Sequence, residues 1–431
     1  MADLNRTTAE RFAARKRHVR MWNFAKLFMP ALMRRKYNFS YDDLSGIEPP
    51  FLLLCNHVTN PDPIFVGCAL GHQSYYVATE NLLHKGFVTR LLMRYFCPII
   101  HQKGRLGLRS AKEIQQALKE GATVILFPEG SRTFNGLSLP VPPVTAKMAR
   151  KAGHVVCVRF EGGYLTQPRW ATTMRKGRLH LAKTLDLDAE AMGAMSDAAL
   201  QEAIVEALAE DAYARQAAIA AEEGAPVAFK GKHLALGMES TFFMCPDCGQ
   251  IGTLASDDTG VHCTAPGCDF AATYLPTGYL EGARFTTLAE WDLWQHAQLD
   301  ARMREDTPAP NGVPQPLFFD EVTVEHYSEA HELIAAVPGR LTVFGGADPH
   351  AEFLPSSAAS VAGTFADKPA AHPEAPIRIE PADVEGVALF TRNTLIAHIG
   401  KPPQHFEVRG DLRFNALKYS YAFDALRQQA Q

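Results

Sequence analysis

Short apolar runs alternate with helix-like segments between Pro49 and about His180, and this alternation constrains the fold more than any other feature of the chain. Five runs have the length and composition of strands, and segments between them, such as Arg109–Glu120, carry apolar residues at helical spacing. The five runs are Phe51–Cys55, Ser74–Ala78, Cys97–Ile100, Thr123–Phe127 and Val155–Val158. The pattern predicts an α/β fold, a mixed sheet flanked by helices.

Length and composition restrict the class of protein further. At 431 residues the chain is long enough for about three domains of ~150 residues. Its composition, with 47% hydrophobic and 21% charged residues, excludes wholesale disorder. No apolar run approaches the ~20 residues of a transmembrane helix, and no signal peptide is evident. We therefore expect a cytoplasmic protein whose eight cysteines are reduced or metal-bound.

The first 36 residues are strongly basic. Ten lysines and arginines face two acids there, which gives this stretch a charge of +8 and leaves −12 for the rest of a chain with a net charge of −4. Residues 8–36 also look helical and include Trp22, Phe24 and Phe28. The asymmetry indicates an anionic partner. Taken alone, the pattern fits a helix in a membrane interface and a solvated basic helix on its own domain equally well.

The first polar block, Asn56–Asp62, follows the first strand. His57 and Asp62 are separated by four residues across the Asn60-Pro61 turn, so the carboxylate can reach the imidazole and leave its other nitrogen as a general base. The structural alternative is that Asp62 only caps a helix over Pro63–Leu70 and that His57 is a loop residue. From the residues of this block alone, the structural alternative is favoured.

The second polar block follows the strand Thr123–Phe127. Glycine and serine after a strand end can present backbone N–H groups, and an arginine adds a forked cation suited to phosphate, although an ordinary surface turn is the alternative. The residues expected at this rim are Glu129, Gly130, Ser131 and Arg132, with Lys103 and Arg105 adding charge from another strand end.

Together, Asn56-His57-x4-Asp62 and Phe127-Pro128-Glu129-Gly130-Ser131-Arg132 resemble the two defining blocks of the glycerolipid (lysophospholipid) acyltransferase superfamily, nearest to the bacterial 1-acyl-glycerol-3-phosphate acyltransferases. The likeness covers roughly residues 20–185. It extends to three shorter matches, Ala78-Thr79-Glu80, Leu139-Pro140 and Ala146-Lys147.

The resemblance implies an O-acyltransferase on the cytoplasmic, inner face of the cell membrane. It would move a fatty acyl group from acyl-CoA or acyl carrier protein to the sn-2 hydroxyl of 1-acyl-glycerol 3-phosphate, which gives phosphatidate. By this likeness His57 is the base, Asp62 its partner, and Arg132 with Glu129 and Gly130 holds the acceptor phosphate. Docking of residues 8–36 on an anionic membrane then becomes the favoured interpretation of the basic segment. Cys55 is expected to be a strand residue, because no acyl-enzyme is required.

Two positions depart from the family pattern. The block between the two motifs usually ends in arginine, but here Ile99-Ile100-His101-Gln102-Lys103 ends in lysine, which lacks the bidentate geometry of a guanidinium. A later strand normally carries proline where this chain has Cys157. The lysine puts the acceptor headgroup in doubt, and Cys157 leaves the later block a weak match.

Four cysteines form a separate signal, in the order Cys245-x2-Cys248, fourteen residues, and Cys263-x4-Cys268. Two close pairs of thiolates match a tetrahedral Zn²⁺ site and resemble a zinc ribbon, and four protein ligands make such a site structural. His262 is a spare ligand candidate. Disulfides are disfavoured by the compartment, while the spacing does not exclude iron.

We predict five parts: a basic membrane-interface segment at 1–48, the acyltransferase domain with a trailing helix at 49–240, the zinc ribbon at 241–275, a helix and Pro-rich linker at 276–316, and a β-rich domain at 317–431. The element order of the last part is loosely similar to a pleckstrin-homology-like barrel.

Three alternative functions remain open at this level. The acceptor could be another lysolipid or glycerol 3-phosphate. The chain could be a non-catalytic membrane-bound zinc-ribbon adaptor, although the His57/Asp62 pair argues against this. Nucleic-acid binding would leave both acyltransferase blocks unexplained, so we expect no nucleic-acid partner.

Overall fold

The computed structural model describes residues 15–79, 87–101, 108–305, 315–328, 332–356, 376–411 and 413–429. The chain divides into two compact units. Unit 1 contains residues 1–232 and 276–278, and unit 2 contains residues 233–275 and 279–431. The finer five-part division of the chain stays a prediction.

Unit 1 contains the strands and helices of the predicted alternating pattern, which alternate strictly between Leu52 and Glu161. Its elements are α1 Arg15–Lys26, α2 Met29–Tyr37, β1 Phe39–Tyr41, β2 Leu52–Cys55, α3 Asp62–Ala69, β3 Ser74–Thr79, α4 Phe87–Tyr95, β4 Ile99–His101, α5 Leu108–Lys119, β5 Thr123–Leu126, α6 Val144–Ala152, β6 His154–Glu161, α7 Gly163–Thr166, β7 Leu179–Asp188, α8 Ala189–Gly193, α9 Asp197–Leu208 and α10 Ala212–Glu223.

The seven strands form one mixed sheet in the order β1-β7-β6-β2-β5-β3-β4. The five strands from β6 to β4 are parallel, whereas β7 runs antiparallel to β6 and pairs with β1 in parallel. Strands β2, β5 and β6 lie at the centre, with Leu52 opposite both Val124 and Val155. Because these three strands are parallel, their carboxyl ends meet at one edge of the sheet.

Both faces of this sheet are buried. Leu52, Leu54 and Val124 point into one core, which helices α5, α6 and α9 cover, while Leu53 and Ile125 point into the other, which takes in residues of α1, α2 and α3. Burial on both faces explains why the central strands read as continuous apolar runs rather than alternating ones.

Two strands of unit 1, β1 and β7, are absent from the predicted set. Strand β1 has only three residues, too few for a pattern, and β7 alternates apolar with polar side chains because it lies towards the edge of the sheet. Edge strands of this kind give a weaker sequence signal than buried parallel ones.

Unit 2 contains two antiparallel sheets. The smaller is built from β8 Leu254–Ser256, β9 Gly260–Cys263, β10 Ala271–Tyr274 and β11 Leu280–Glu281, and α11 Leu288–Arg304 follows it. The larger is a curled seven-stranded sheet of β12 Phe318–Tyr327, β13 Leu333–Phe344, β14 His350–Pro355, β15 Ile377–Ile379, β16 Val384–Thr391, β17 Thr394–Ile399 and β18 Gln404–Arg409, in the order β15-β14-β13-β12-β18-β17-β16, and α12 Ala416–Gln429 packs on it. The pleckstrin-homology likeness of this sheet stays a prediction.

Among the described residues, no helix has both the length and the apolar character needed to cross a bilayer.

Candidate functional site

The two polar blocks predicted from the sequence follow neighbouring parallel strands. Asn56 and His57 come directly after β2, and Phe127–Arg132 comes directly after β5. Open α/β sheets place their sites at the carboxyl ends of such strands. The backbone links the two blocks directly, because the Thr133 N–H donates to the carbonyl oxygen of His57 at 3.1 Å.

His57 and Asp62 are in direct contact. The Nδ1 atom of His57 lies 2.7 Å from Oδ2 of Asp62, so the carboxylate favours the proton on Nδ1 and leaves Nε2 as the proton acceptor. The His57 side chain is 25% exposed and that of Asp62 is fully buried. A partly open imidazole with its tautomer fixed by a buried carboxylate is the arrangement that a general base requires.

The carboxylate of Asp62 is held by the loop that carries His57. It accepts hydrogen bonds from the backbone N–H of Val58 at 2.7 Å and of Thr59 at 3.0 Å, and from the Thr59 hydroxyl. Asp62 is the first residue of α3, whose N-cap is Pro61. The alternative in which Asp62 merely caps the helix over Pro63–Leu70 is therefore wrong: its oxygens bind the preceding loop and the imidazole.

Strand β6 and the residues after it fix this loop from the other side. Asn56 Nδ2 donates to the carbonyl oxygen of Phe160 at 3.2 Å, and the Phe160 N–H donates to Asn56 Oδ1 at 2.7 Å. Gln167 Oε1 accepts from the Asn60 N–H at 2.9 Å. Gln167 is not among the residues predicted from the sequence; its one available signal was its position after a strand parallel to β2.

The turn after β5 brings its side chains towards His57. The rings of Phe127 and His57 pack with centroids 4.7 Å apart. Gly130 closes the turn, donating its N–H to the carbonyl oxygen of Phe127 at 3.2 Å with a φ of +67°. Open space surrounds the position where a Cβ would be, so glycine is needed here for its backbone conformation rather than for lack of room.

Several buried polar atoms of this turn have no hydrogen-bond partner within the part of the chain that the structure describes. They are Glu129 Oε1, Ser131 Oγ and Arg132 Nη1. Leaving a buried polar group unpaired costs about 1–3 kcal/mol, more for charged groups. Three such atoms in one turn, beside a paired imidazole and carboxylate, are groups that could bind a polar ligand.

Burial sets the charge state of the site. It lowers the pKa of His57 below its ordinary 6.5, against the opposing effect of Asp62, and the positive charges of Arg132 and Arg169 lower it further. Burial also raises the pKa of Glu129 to about 8, with a smaller contribution from Asp62 in the same direction. At pH 7 the imidazole is therefore neutral and Glu129 is protonated, while Arg132 keeps its charge although burial lowers its pKa.

Arg169 is a second arginine of the site and is not among the residues predicted from the sequence. Its Nη1 donates to the carbonyl oxygen of Arg132 at 3.4 Å, and its guanidinium lies 4.8 Å from the centre of the Phe134 ring. Burial and Arg132 lower the pKa of Arg169 to about 9. Like Gln167, it follows β6, where Cys157 in place of the usual proline made the family signal weak.

Two predicted site residues, Lys103 and Arg105, lie outside the described residues. Cys55 is a fully buried residue of β2, and burial raises the pKa of its thiol. A buried thiol with a raised pKa is a poor nucleophile.

The four cysteines predicted to bind a metal come together in unit 2. The sulfur atoms of Cys245 and Cys268 are 3.7 Å apart, those of Cys248 and Cys263 are 3.8 Å apart, and all four lie within 4.8 Å of one another. His262 is not part of this group. A tetrahedron with Zn–S bonds of ~2.3 Å has sulfurs about 3.8 Å apart, so the donor set fits Zn²⁺ in size and chemistry.

A family of known proteins matches part of the chain, and the matched part includes His57, Asp62 and Arg132. Residues 35–167 match the family model described as Acyltransferase, which assigns this part of the chain to an acyltransferase domain. No curated protein matches the chain. Among solved structures, the chain is similar to the 1-acyl-sn-glycerophosphate (LPA) acyltransferase PlsC from Thermotoga maritima, with 21% identity over 43% of this chain and 78% of that one and a TM-score of 0.36.

Proposed function

We propose that the protein transfers a fatty acyl group from a thioester donor, acyl-CoA or acyl carrier protein, to the sn-2 hydroxyl of 1-acyl-glycerol 3-phosphate, and so forms phosphatidate. The observation that carries the proposal is the contact between His57 and Asp62, 2.7 Å long, beside a turn with an unpaired buried guanidinium atom of Arg132. The acyltransferase domain over residues 35–167 supports the same class of reaction.

The reaction needs a base and no protein nucleophile. Nε2 of His57 takes the proton of the sn-2 hydroxyl while the hydroxyl oxygen attacks the carbonyl carbon of the thioester. Asp62 stabilises the imidazolium that forms, through the bond to Nδ1. When the tetrahedral intermediate collapses, the new ester bond remains, the C–S bond breaks, and the imidazolium returns its proton to the departing thiolate.

The turn after β5 supplies the groups that hold the acceptor. Arg132 offers a fork of N–H donors to the phosphate, and Ser131 offers a hydroxyl. Glu129 is protonated at neutral pH, because burial raises its pKa to about 8, and can therefore donate a hydrogen bond without repelling the anion. Gly130 keeps the turn open towards the ligand.

An acceptor panel tests this assignment against the alternatives. Purified protein in mixed micelles, given labelled acyl-CoA, is expected to acylate 1-acyl-glycerol 3-phosphate faster than glycerol 3-phosphate or lysolipids with larger headgroups. Faster acylation of glycerol 3-phosphate would overturn the choice of acceptor. No acyl transfer to any acceptor, from acyl-CoA or from acyl carrier protein, would favour the adaptor alternative.

The rate is expected to depend on pH through His57 and Glu129. Activity should fall at low pH with a midpoint below 6.5, because a protonated imidazole cannot act as a base. It should fall again near pH 8, because the Glu129 carboxylate formed there can no longer donate a hydrogen bond to the substrate phosphate and repels it. We expect the pH–rate profile of the Glu129→Gln variant to lose the decrease near pH 8 and to keep the decrease at low pH. A decrease near pH 8 that persists in this variant would contradict the role given to Glu129.

We also propose that α1 and α2 dock the protein on the anionic, inner face of the cell membrane. Four apolar side chains on these helices and on the turn between them are exposed, namely Phe24, Leu27, Phe28 and Leu32, which we call the α1–α2 patch. Leu27 is 81% exposed, whereas Trp22 and Met33 of the same helices are buried in the core. Exposed Arg20, Arg34, Arg35 and Lys36 lie on these helices as well. Apolar side chains beside cations suit an anionic bilayer interface.

Vesicle binding tests the α1–α2 patch. Replacing Phe24 and Leu27 by serine is expected to weaken binding to phosphatidylglycerol vesicles by at least ~10-fold, since each buried large apolar side chain contributes about 1.5–3 kcal/mol. Binding should also fall as salt is raised. Val205→Ser is a matched control, because Val205 of α9 is 41% exposed in the same unit but lies outside the patch. Equal binding by the double variant and the control would refute the docking proposal.

Finally, we propose that the four-cysteine cluster of unit 2 holds a structural Zn²⁺. A bound ion would cross-link two short loops and take no part in catalysis, because protein sulfurs would fill all four of its coordination positions. Trp291 of α11 packs beside the cluster segment and donates its Nε1–H to the carbonyl oxygen of Met244 at 3.0 Å.

A further inference from the structure

Arg169 lies two residues beyond the part of the chain that matches the acyltransferase family model, residues 35–167. It follows α7, after the carboxyl end of β6, at the same edge of the sheet as His57 and Arg132. The side chain is buried, with only 7% of the residue exposed. A long cationic side chain is seldom buried to this degree without a partner of opposite charge.

Two contacts fix the orientation of Arg169. Its Nη1 donates to the carbonyl oxygen of Arg132 at 3.4 Å, and its guanidinium stacks near the Phe134 ring at 4.8 Å. Neither contact neutralises the charge. The Nε atom is buried and has no hydrogen-bond partner among the described residues. The guanidinium therefore retains unused capacity for an acceptor oxygen.

No carboxylate of the described residues forms an ion pair with Arg169. The neighbouring charged group that most affects it is Arg132, which has the same sign. Asp62 is occupied by His57 and by three donors of the loop, and Glu129 is protonated at neutral pH. By contrast, Arg159 on β6 pairs with Glu161 at 3.1 Å and with Glu210 at 3.6 Å.

We propose that Arg169 and Arg132 together bind the phosphate monoester of the acceptor, and that Arg169 makes the site prefer a monoester to a phosphodiester lysolipid. The proposal rests on the proposed function and adds a specificity residue to it. Two guanidinium groups match a dianion with three free oxygens, whereas a diester carries one charge and has two of its oxygens blocked.

The acceptor is favoured over the donor as the source of this phosphate. Arg169 Nη1 donates to the carbonyl oxygen of Arg132 at 3.4 Å, and the N–H of the next residue, Thr133, donates to the carbonyl oxygen of His57 at 3.1 Å, so the segments that carry the three groups lie close together. In the acceptor, the carbon bearing the sn-2 hydroxyl is bonded to the carbon that carries the phosphate, so base and phosphate site must lie close together. The phosphates of coenzyme A are separated from the thioester by the whole pantetheine arm.

The test compares Arg169→Gln with the intact enzyme on 1-acyl-glycerol 3-phosphate and on lysophosphatidylglycerol. We expect kcat/KM for the monoester to fall by about 10- to 100-fold, as for loss of a charge-assisted contact, and the monoester-to-diester ratio to shrink by about 10-fold. Arg169→Lys should recover part of the preference. Arg159→Gln is the matched control, since that charge is already paired with carboxylates, and should leave the ratio unchanged.

Two further experiments distinguish failure of the proposed role of Arg169 from failure of the proposed function. With an acyl-N-acetylcysteamine donor, which has no phosphate, the Arg169→Gln effect should persist; an effect that disappears would assign Arg169 to coenzyme A and overturn the proposal. Binding of glycerol 3-phosphate, followed by calorimetry, should weaken at least ~10-fold in Arg169→Gln, and unchanged binding would refute the paired-arginine site. This binding result decides the matter even if the intact protein transfers no acyl group, an outcome that would count against the proposed function alone.

Discussion

Replacing His57 by alanine is expected to lower kcat for acyl transfer by about 10²- to 10⁴-fold, the range that general-base catalysis contributes. The variant lacks the nitrogen that accepts the hydroxyl proton, and Asp62 cannot replace it because its oxygens are held by loop donors. Acceptor affinity should change little, since the groups proposed to bind the phosphate lie on other segments. The readout is the initial rate at saturating donor and acceptor.

His154 supplies a closely matched control for this experiment. Its side chain is 25% exposed, like that of His57, and its Nε2 lies 2.8 Å from Oδ1 of Asp186. It is the first residue of β6, however, and so lies at the opposite edge of the sheet from the site. His154→Ala should keep nearly full activity. If both variants lose activity equally, or if His57→Ala stays active, His57 is not the base.

Loss of the metal is expected to have the largest effect on stability. Structural Zn²⁺ in small domains contributes about 10–16 kcal/mol of apparent binding free energy at pH 7, most of which appears as folding free energy. We expect about one zinc per chain by elemental analysis and none in Cys248→Ser. Even about 5 kcal/mol lost from unit 2 would lower its Tm by about 10–20 °C.

The choice of cysteine makes this experiment informative. Cys248 is exposed, so its replacement by serine removes a sulfur ligand without opening a cavity in the core. Cys68→Ser is the control, because Cys68 is a buried free thiol of unit 1 outside the cluster, and that variant should retain the metal. Full stability of Cys248→Ser would argue against a structural metal, and iron in the intact protein would overturn the identity of the ion.

Much of unit 1 could be predicted because its central strands are parallel and buried. Strands such as β2 and β5 must be apolar on both faces, which makes them visible as short hydrophobic runs, and their parallel direction brings the residues that follow them to one edge. The closeness of His57 to the turn carrying Arg132 follows from that rule.

The sequence could not reveal contacts that depend on the path of the chain after a strand. Arg169 and Gln167 reach the site through the segment following β6, whose position depends on α7 and on pairing over more than 100 residues. The residues alone left two roles open for Asp62, a helix cap and a bond to the imidazole, and the family resemblance favoured the bond to His57 that the structure has.

For residues 317–431 the sequence predicted a β-rich part but not the arrangement of its strands. The order β15-β14-β13-β12-β18-β17-β16 is set by pairings between distant segments, such as β12 with β18. Alternation of hydrophobic and polar residues identifies a half-buried strand but does not determine which strand it pairs with.

The most direct test of the account is the position and origin of the acyl chain in the product. Intact protein given labelled acyl thioester and 1-acyl-glycerol 3-phosphate should form phosphatidate with the label at the sn-2 position, and His154→Ala should do so at a similar rate while His57→Ala forms about 10²-fold less or lower still. Label at another position, or phosphatidate formed equally well without His57, would contradict the account.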